Sequence, residues 1–381
     1  MRSLSERVAA IQESATIAIS DKAKRMQREG IDVISLSIGE PDFDTPAHIR
    51  QACIDSIQRG DTHYTPSNGI PELLGAVAEK ITKENNFPCK PAEVMITCGA
   101  KDAIFDTMAA AVNPGDEVII FDPAWVSYEP CIRMAGGKVV HCPVDQKTFQ
   151  IDSRLQEKIT AKTKMIVVNS PSNPTGAVLT RDSLKIVADA CADYDLYAMS
   201  DEIYEKLVYD GVQHISLASI GDMAHRTITI NGFSKAYAMT GWRLGYAVAP
   251  VEILREMSKV QQHSVSHPAS FAMYAGVAAL KGDQGCIEEM RKEFDRRRKY
   301  VISELNLMGY ETAPAQGAFY AFLKVAGDDM EIGTRWLEQA HVAATPGSAF
   351  YAPGWMRLSY ATSMEKLKEA MSRIRRCGSG K

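Results

Sequence analysis

Residues 94–121 read VMITCGAKDAIFDTMAAAVNPGDEVIIF. The apolar run VMITC (94–98) is too short for a helix and stops at Gly99, so it reads as a buried strand. KDAIFDTMAAAV (101–112) reads as a helix, and NPGDE turns the chain into a second strand, VIIF (118–121). The alternation continues outward. VSYEPCIRMA is helical, KVVHCPV is a strand, and KMIVVN (164–169) is a strand that runs into SPSNPTG. A helix from Arg181 to Tyr194 leads to strands in LYAMSDEIY, TITINGF (227–233) and GYAVAP (245–250). Near-continuous apolar strands separated by helices predict an α/β, doubly wound fold, with a mostly parallel seven-stranded-type sheet between helices.

The ends have a different pattern. After about residue 284 comes a long charged helix, IEEMRKEFDRRRKYVISEL, then short strands in GAFYAFLKV and WMRLSYA and an amphipathic helix, MEKLKEAMSRIRR. The start carries helix-like SERVAAIQES and then VISLSIGEPDFDTP. Both ends together predict a smaller α+β domain made of residues 1–47 and 284–381, beside a large domain of residues 48–283. A chain of 381 residues has room for both.

Composition removes several function classes. A balance of 43 basic and 47 acidic residues gives −4, which offers no electrostatic reason to expect nucleic acid or an anionic membrane as partner. No apolar run approaches the ~20 residues of a membrane span. Arg7 and Glu13 interrupt the N-terminal segment, unlike the core of a signal peptide. Eight scattered cysteines without a CxxC pair fit a reduced cytoplasm, and metal-ligand spacing is absent.

Five segments end predicted strands and carry polar groups, at the place where α/β sheets bind ligands. In TCGAKDA, Gly99, Ala100 and Lys101 begin a helix whose free N–H groups suit a phosphate, although any tight strand–helix turn favours glycine. In DPAWVSY, Trp125 is placed to stack on a ring or to serve as a half-buried core residue. NSPSNPTG (169–176) is a stiff loop presenting the amide of Asn173. In SDEIYEKL, Asp201 ends an apolar strand, a costly position without a cation nearby, with Tyr204 one turn on; the alternative is an aspartate capping a helix. In NGFSKAYAMTGWRLG (231–245), Lys235 sits among small residues that disfavour its charged form and make it a nucleophile. Arg243 stays charged and needs an anion, and Ser234 stands beside the lysine. The ligand these groups describe has a carbonyl, an aromatic ring, a basic ring nitrogen and a phosphate. Pyridoxal 5'-phosphate has all four.

These segments, with SLSIGEPDFDTP, HYTPSNGIPEL, PGSAF and RLSYATS, occur in an order that resembles the fold-type I, class I aminotransferases of pyridoxal phosphate. The resemblance runs from Ser14-Ala15-Thr16 to RLSYATS, and the branch it most resembles holds bacterial and archaeal aspartate, prephenate and aromatic aminotransferases. It implies that Lys235 holds the cofactor as a Schiff base and shuttles a proton between the substrate α-carbon and C4′. Asp201 would pair with the pyridine nitrogen, Asn173 and Tyr204 would bond the phenolic oxygen, and Trp125 would stack on the ring. Gly99, Ala100, Lys101, Ser234 and Arg243 would hold the phosphate, joined by Tyr64 from the neighbouring subunit of a homodimer. Gly39, Trp125, Asn173 and Arg357 would receive the substrate, Arg357 as a fork on its α-carboxylate.

The resemblance further implies aspartate and 2-oxoglutarate as substrates. An aromatic or prephenate aminotransferase is the alternative, with alanine aminotransferase and carbon–sulfur lyase behind. Thr16, Ser266 and His267 are candidate readers of the substrate's side chain, and Phe319 and Tyr320 in GAFY suit an aromatic one. His267 replaces an expected asparagine, and Ala109 brings no charge where some relatives place a polar group.

Overall fold

The computed structural model describes residues 4–9, 11 and 15–378; Ser14 and the side chain of Thr16 lie outside the described residues. Its centre is a seven-stranded sheet. In spatial order the strands are Val94–Thr97, Gly245–Val248, Thr227–Gly232, Tyr197–Asp201, Thr163–Asn169, Glu117–Asp122 and Lys138–Pro143. Gly245–Val248 runs antiparallel to both neighbours, and every other pairing is parallel. The sheet is therefore mostly parallel, as the strand–helix alternation predicts.

Alternation within each strand explains why helices cover both faces. Val118 and Ile120 pack with Ala103, Ile104 and Met108 of the helix Ala100–Ala111. Ile119, between them, packs on the opposite side with Leu184, Val187 and Cys191 of the helix Arg181–Asp193. Strands buried on both faces carry apolar residues at every position, so they read as continuous runs.

The two ends of the chain meet. Ile34–Ser35 pairs in parallel with Val342–Ala343, and Ala23, Met26 and Val33 share a core with Leu337 and Ala343. A three-stranded antiparallel sheet combines Thr345–Pro346, Trp355–Ser359 and Tyr320–Lys324. The helices Gly285–Leu307 and Met364–Arg376 contribute Phe294, Val301, Leu367 and Met371 to the core against it. A helix over Ala15–Arg28 is an addition the sequence reading did not make.

Parallel pairing sets several strand ends side by side. Asn169 is in register with Asp201, and Asp201 with Ile230, five residues before Lys235. Gly245 allows the last strand to lie against the start of the helix Ala100–Ala111, because a Cβ there would stand 2.5 Å from the Ala100 nitrogen. That contact is with backbone, so no rotamer change relieves it. Gly245→Ala is expected to cost about 1–3 kcal/mol through overpacking, read as a lower urea midpoint at unchanged m-value.

Candidate active site

A cleft of about 540 Å³ opens at the carboxyl ends of the central strands. The cleft is lined by Gly39, Ala100, Lys101, Trp125, Asn173, Asp201, Tyr204, Ser234, Lys235, Arg243 and Arg357. Nearly all the residues singled out from the sequence are thus brought together, from segments far apart in the chain. Gly99 stands at the edge as N-cap of the helix Ala100–Ala111.

One end of the cleft is built for an anion. Gly99 has φ 85°, and no side chain caps the helix, so its first-turn N–H groups lack a side-chain acceptor. Arg243 crowds the same point: a Cβ on Gly99 would lie 2.7 Å from its guanidinium. Arg243 donates to the Thr240 carbonyl at 2.8 Å and has no carboxylate partner among the described residues. Ser234 is buried alongside, and the Lys101 amine lies 5.0 Å from the Trp125 ring centre.

In the middle, Trp125 and Tyr128 meet edge to face with centroids 5.3 Å apart. The buried Asp201 carboxylate accepts from the Tyr128 hydroxyl at 2.7 Å and from the Ile203 amide at 3.2 Å. Burial raises its pKa to about 6 against these donors. Residues 202–205 form a tight turn rather than a helix, so Asp201 is not a helix cap. Lys235 also lies in a turn, just past Thr227–Gly232, and its amine donates to the Gly39 carbonyl at 2.6 Å. Burial lowers its pKa to about 8. Gly39 must remain glycine, because a Cβ would collide with the Tyr320 hydroxyl.

At the far end Arg357 is 3% exposed, not on a solvated strand face. It donates to the Asn173 Oδ1 at 2.8 Å and to the Ser37 carbonyl at 2.6 Å, and it packs on the rings of Tyr320 and Phe350. Its Nε has no partner, and no carboxylate pairs with it among the described residues. A buried guanidinium held only by neutral acceptors keeps an uncancelled charge that a carboxylate could neutralise.

Some candidates lie elsewhere. Tyr64 is 91% exposed, and its ring meets His267 edge to face with centroids 5.6 Å apart. His267 accepts from the Thr65 amide, and Ser266 is exposed; none of these residues lines the cleft of its own chain. Ala109 is exposed on its helix, outside the cleft, so its lack of charge says nothing about the side-chain pocket. Phe319 is buried in the core and leaves Tyr320 as the lining aromatic.

The sequence reading passed over two residues. Tyr128 follows Trp125 by three residues, at the start of the helix Tyr128–Met134, and holds Asp201. Asn169 receives the Asn173 amide at 2.8 Å and donates to the Asp201 carbonyl at 3.0 Å, stitching the loop to the neighbouring strand. The spacings, three and four residues from known candidates, were available as signals.

The arrangement offers an amine for a carbonyl, a carboxylate for a basic nitrogen, and separate sites for two anions. Residues 31–374 match the family model described as aminotransferase class I and II. An aspartate aminotransferase of Pyrococcus abyssi is 46% identical over 353 residues, covering 90% of this chain and 91% of that protein. The aspartate/prephenate aminotransferase of Thermus thermophilus is 42% identical, covering 99% of each. A solved structure of Thermus thermophilus aspartate aminotransferase with maleate superposes with a TM-score of 0.96 at 42% identity, covering 99% of this chain and 100% of that one. A match this extensive places the chain in the class I and II aminotransferase family.

Proposed function

We propose that this aminotransferase moves an amino group from an L-amino acid to a 2-oxo acid using pyridoxal 5'-phosphate, with aspartate and 2-oxoglutarate as its preferred pair. The carrying observation is Lys235, a buried amine in the cleft with its pKa lowered to about 8. At pH 7 such an amine is neutral in ~10% of molecules, against ~0.03% for an ordinary lysine. The residues present suit the cofactor. The Gly99–Lys101 turn, Ser234 and Arg243 would hold its phosphate, Trp125 its ring face, and Asn173 and Tyr204 its phenolic oxygen.

When bound, the cofactor supplies an aldehyde for amines and a protonated ring that draws the electron pair left by a departing α-proton. Lys235 Nζ would anchor it and, once displaced by the substrate amine, take the substrate's α-proton. Asp201 would keep a proton on the ring nitrogen by ion pairing; its own pKa, about 6, leaves it mostly ionised at neutral pH. Arg357 and the Gly39 backbone would orient the α-carboxylate, so that the Cα–H bond faces Lys235.

Aspartate is favoured because the solved relative was captured with maleate, a four-carbon dicarboxylate. An aromatic or prephenate substrate is the second reading, supported by Trp125 and Tyr320 in the lining. The exposed Tyr64 supports a homodimer in which it serves the neighbouring subunit's phosphate site. All eight cysteines are free, which supports a reducing compartment such as the cytoplasm. No helix among the described residues is long and apolar enough to cross a membrane.

Three tests follow from these assignments. The rate of cofactor uptake by apo-protein is expected to rise with pH around a midpoint near 8, because only neutral Lys235 attacks; a midpoint near that of a free lysine contradicts the burial argument. Arg357→Ala is expected to raise KM for the amino acid about ten- to a hundredfold, the worth of a charged hydrogen bond. Retention of the 2-oxo acid and amino acid affinities in that variant rejects the assignment. In a donor panel with 2-oxoglutarate, aspartate should exceed phenylalanine in kcat/KM; an advantage for phenylalanine above about tenfold, ~1.4 kcal/mol, selects the aromatic reading.

A further inference from the structure

The segment Ser200-Asp201-Glu202-Ile203-Tyr204-Glu205 has two faces. Asp201 and Tyr204 line the cleft, whereas Glu202 and Glu205 do not. Glu202 is fully buried at 0% exposure, accepts from four donors and meets a histidine nitrogen besides. Its Oε1 takes the hydroxyls of Ser200 at 2.9 Å and Ser216 at 2.8 Å and the Leu217 amide at 3.3 Å. Its Oε2 takes Asn85 Nδ2 at 3.2 Å and lies 3.0 Å from His214 Nε2. So many donors suit an acceptor-only carboxylate. Asn85 also bonds Glu205, which pairs with the Lys80 ammonium. Burial works against the Glu205 charge, yet Lys80, His214 and Lys206 draw its pKa down to about 2. Lys80 thus supplies the cation of the cluster.

Two groups at spacings of one and four residues from Asp201 are therefore pinned from behind. The Glu202 amide is itself fixed to the Ile230 carbonyl at 2.8 Å, and the Glu205 amide closes the turn on the Glu202 carbonyl at 2.9 Å. The transamination chemistry proposed above uses Asp201 and Tyr204 and leaves this buried cluster without a task. We propose that Glu202 is a positioning residue for Asp201: it locks the turn that aims Asp201 at the ring nitrogen and keeps a negative charge behind it. The charge strengthens Asp201 as a partner for a protonated nitrogen. Burial is the main cause of its raised pKa, and Glu202 adds in the same direction. This inference rests on the proposed pairing of Asp201 with the cofactor nitrogen.

The test compares pyridoxal 5'-phosphate with its 1-deaza analogue, whose ring has carbon in place of that nitrogen. Glu202→Gln keeps the shape and an acceptor for Ser200, Ser216 and Leu217; His214 can change tautomer to meet the new amide, and Asn85 loses its acceptor on Glu202 but keeps the one on Glu205. The variant is expected to bind pyridoxal 5'-phosphate about tenfold more weakly, the weight of one pKa unit, with affinity for the deaza analogue unchanged. Equal affinity of wild type and variant for pyridoxal 5'-phosphate overturns the proposal. Equal weakening for both compounds also overturns it, since that shows a structural role alone. Should Glu202→Gln not fold, Ser216→Ala removes one donor from the same carboxylate and should show the same selectivity at about twofold. Failure of the wild type to bind pyridoxal 5'-phosphate at all refutes the functional reading instead, so the two failures are distinct.

Discussion

Burying positive charge without a carboxylate beside it is the constraint around which this cleft is organised. Arg357 is almost fully enclosed, yet its bonds go to an amide oxygen, a backbone carbonyl and a hydroxyl, and aromatic rings cover it. Each neutral acceptor offsets part of the desolvation cost, and none cancels the charge. Arg243, by contrast, is exposed; it too lacks a carboxylate partner among the described residues, and the helix dipole beside it adds to the positive field. An ionised internal partner would have lowered the desolvation cost of Arg357 but cancelled the charge that the cleft presents. The surrounding structure, including the rigid loop after Asn169 and the antiparallel sheet behind Arg357, is what makes this arrangement tolerable.

How that loop is held shows the dependence. Gly176 adopts φ 70°, and its amide bonds Ser172 at 2.9 Å, while Ser172 bonds Ala177 at 2.9 Å. Gly317, from the segment before Tyr320, donates to the Gly176 carbonyl at 2.7 Å. Asn173 is thereby tied both to the central sheet through Asn169 and to the C-terminal region through Arg357. On the opposite wall, Arg297 of the helix Gly285–Leu307 pairs with Asp42 at 2.6 Å, and Phe43 packs edge to face on Phe294. These contacts support the stretch that presents Gly39 to Lys235. The two walls of the cleft are therefore joined by hydrogen bonds through Asn173.

The sheet and the front of the site were legible because both depend on local signals. Strands buried on two faces announce themselves as apolar runs, and a lysine or aspartate at the end of such a run is conspicuous against it. Arg357 was not legible from its own surroundings, because WMRLSYA fits an exposed edge as well as a buried strand; only packing against Tyr320 and Phe350 decides between them. The reading of Ala109 failed for a related reason. Where relatives place a polar group along the helix says nothing about which side of it meets the cleft here, and Ala109 is on the exposed side. Ile34–Ser35 is only two residues long, and what makes it a strand is Val342–Ala343, which arrives some three hundred residues later. Glu202 beside Asp201 reads from the sequence as the start of a helix, and its burial among four donors and a histidine is visible only in the fold.

Burial acts on Lys235 and Asp201 in opposite senses, and that is why one cleft can hold both. It lowers the amine to about 8 and raises the carboxyl to about 6, so the two move toward neutrality from either side. If burial alone operated, each would shed its charge, and Asp201 would lose its ability to hold a nitrogen's proton. Hydrogen bonds from Tyr128 and the Ile203 amide oppose that drift on the cleft side. Lys235, by contrast, has one neutral acceptor, the Gly39 carbonyl; burial lowers its pKa first, Glu40 and Asp201 oppose that, and Arg357 and Arg243 push its proton away. The asymmetry lies in what each group is bonded to as well as in burial, which is greater for Asp201 than for Lys235. Donors placed around the acid preserve its charge, and the shortage of acceptors around the base leaves it free to lose its own.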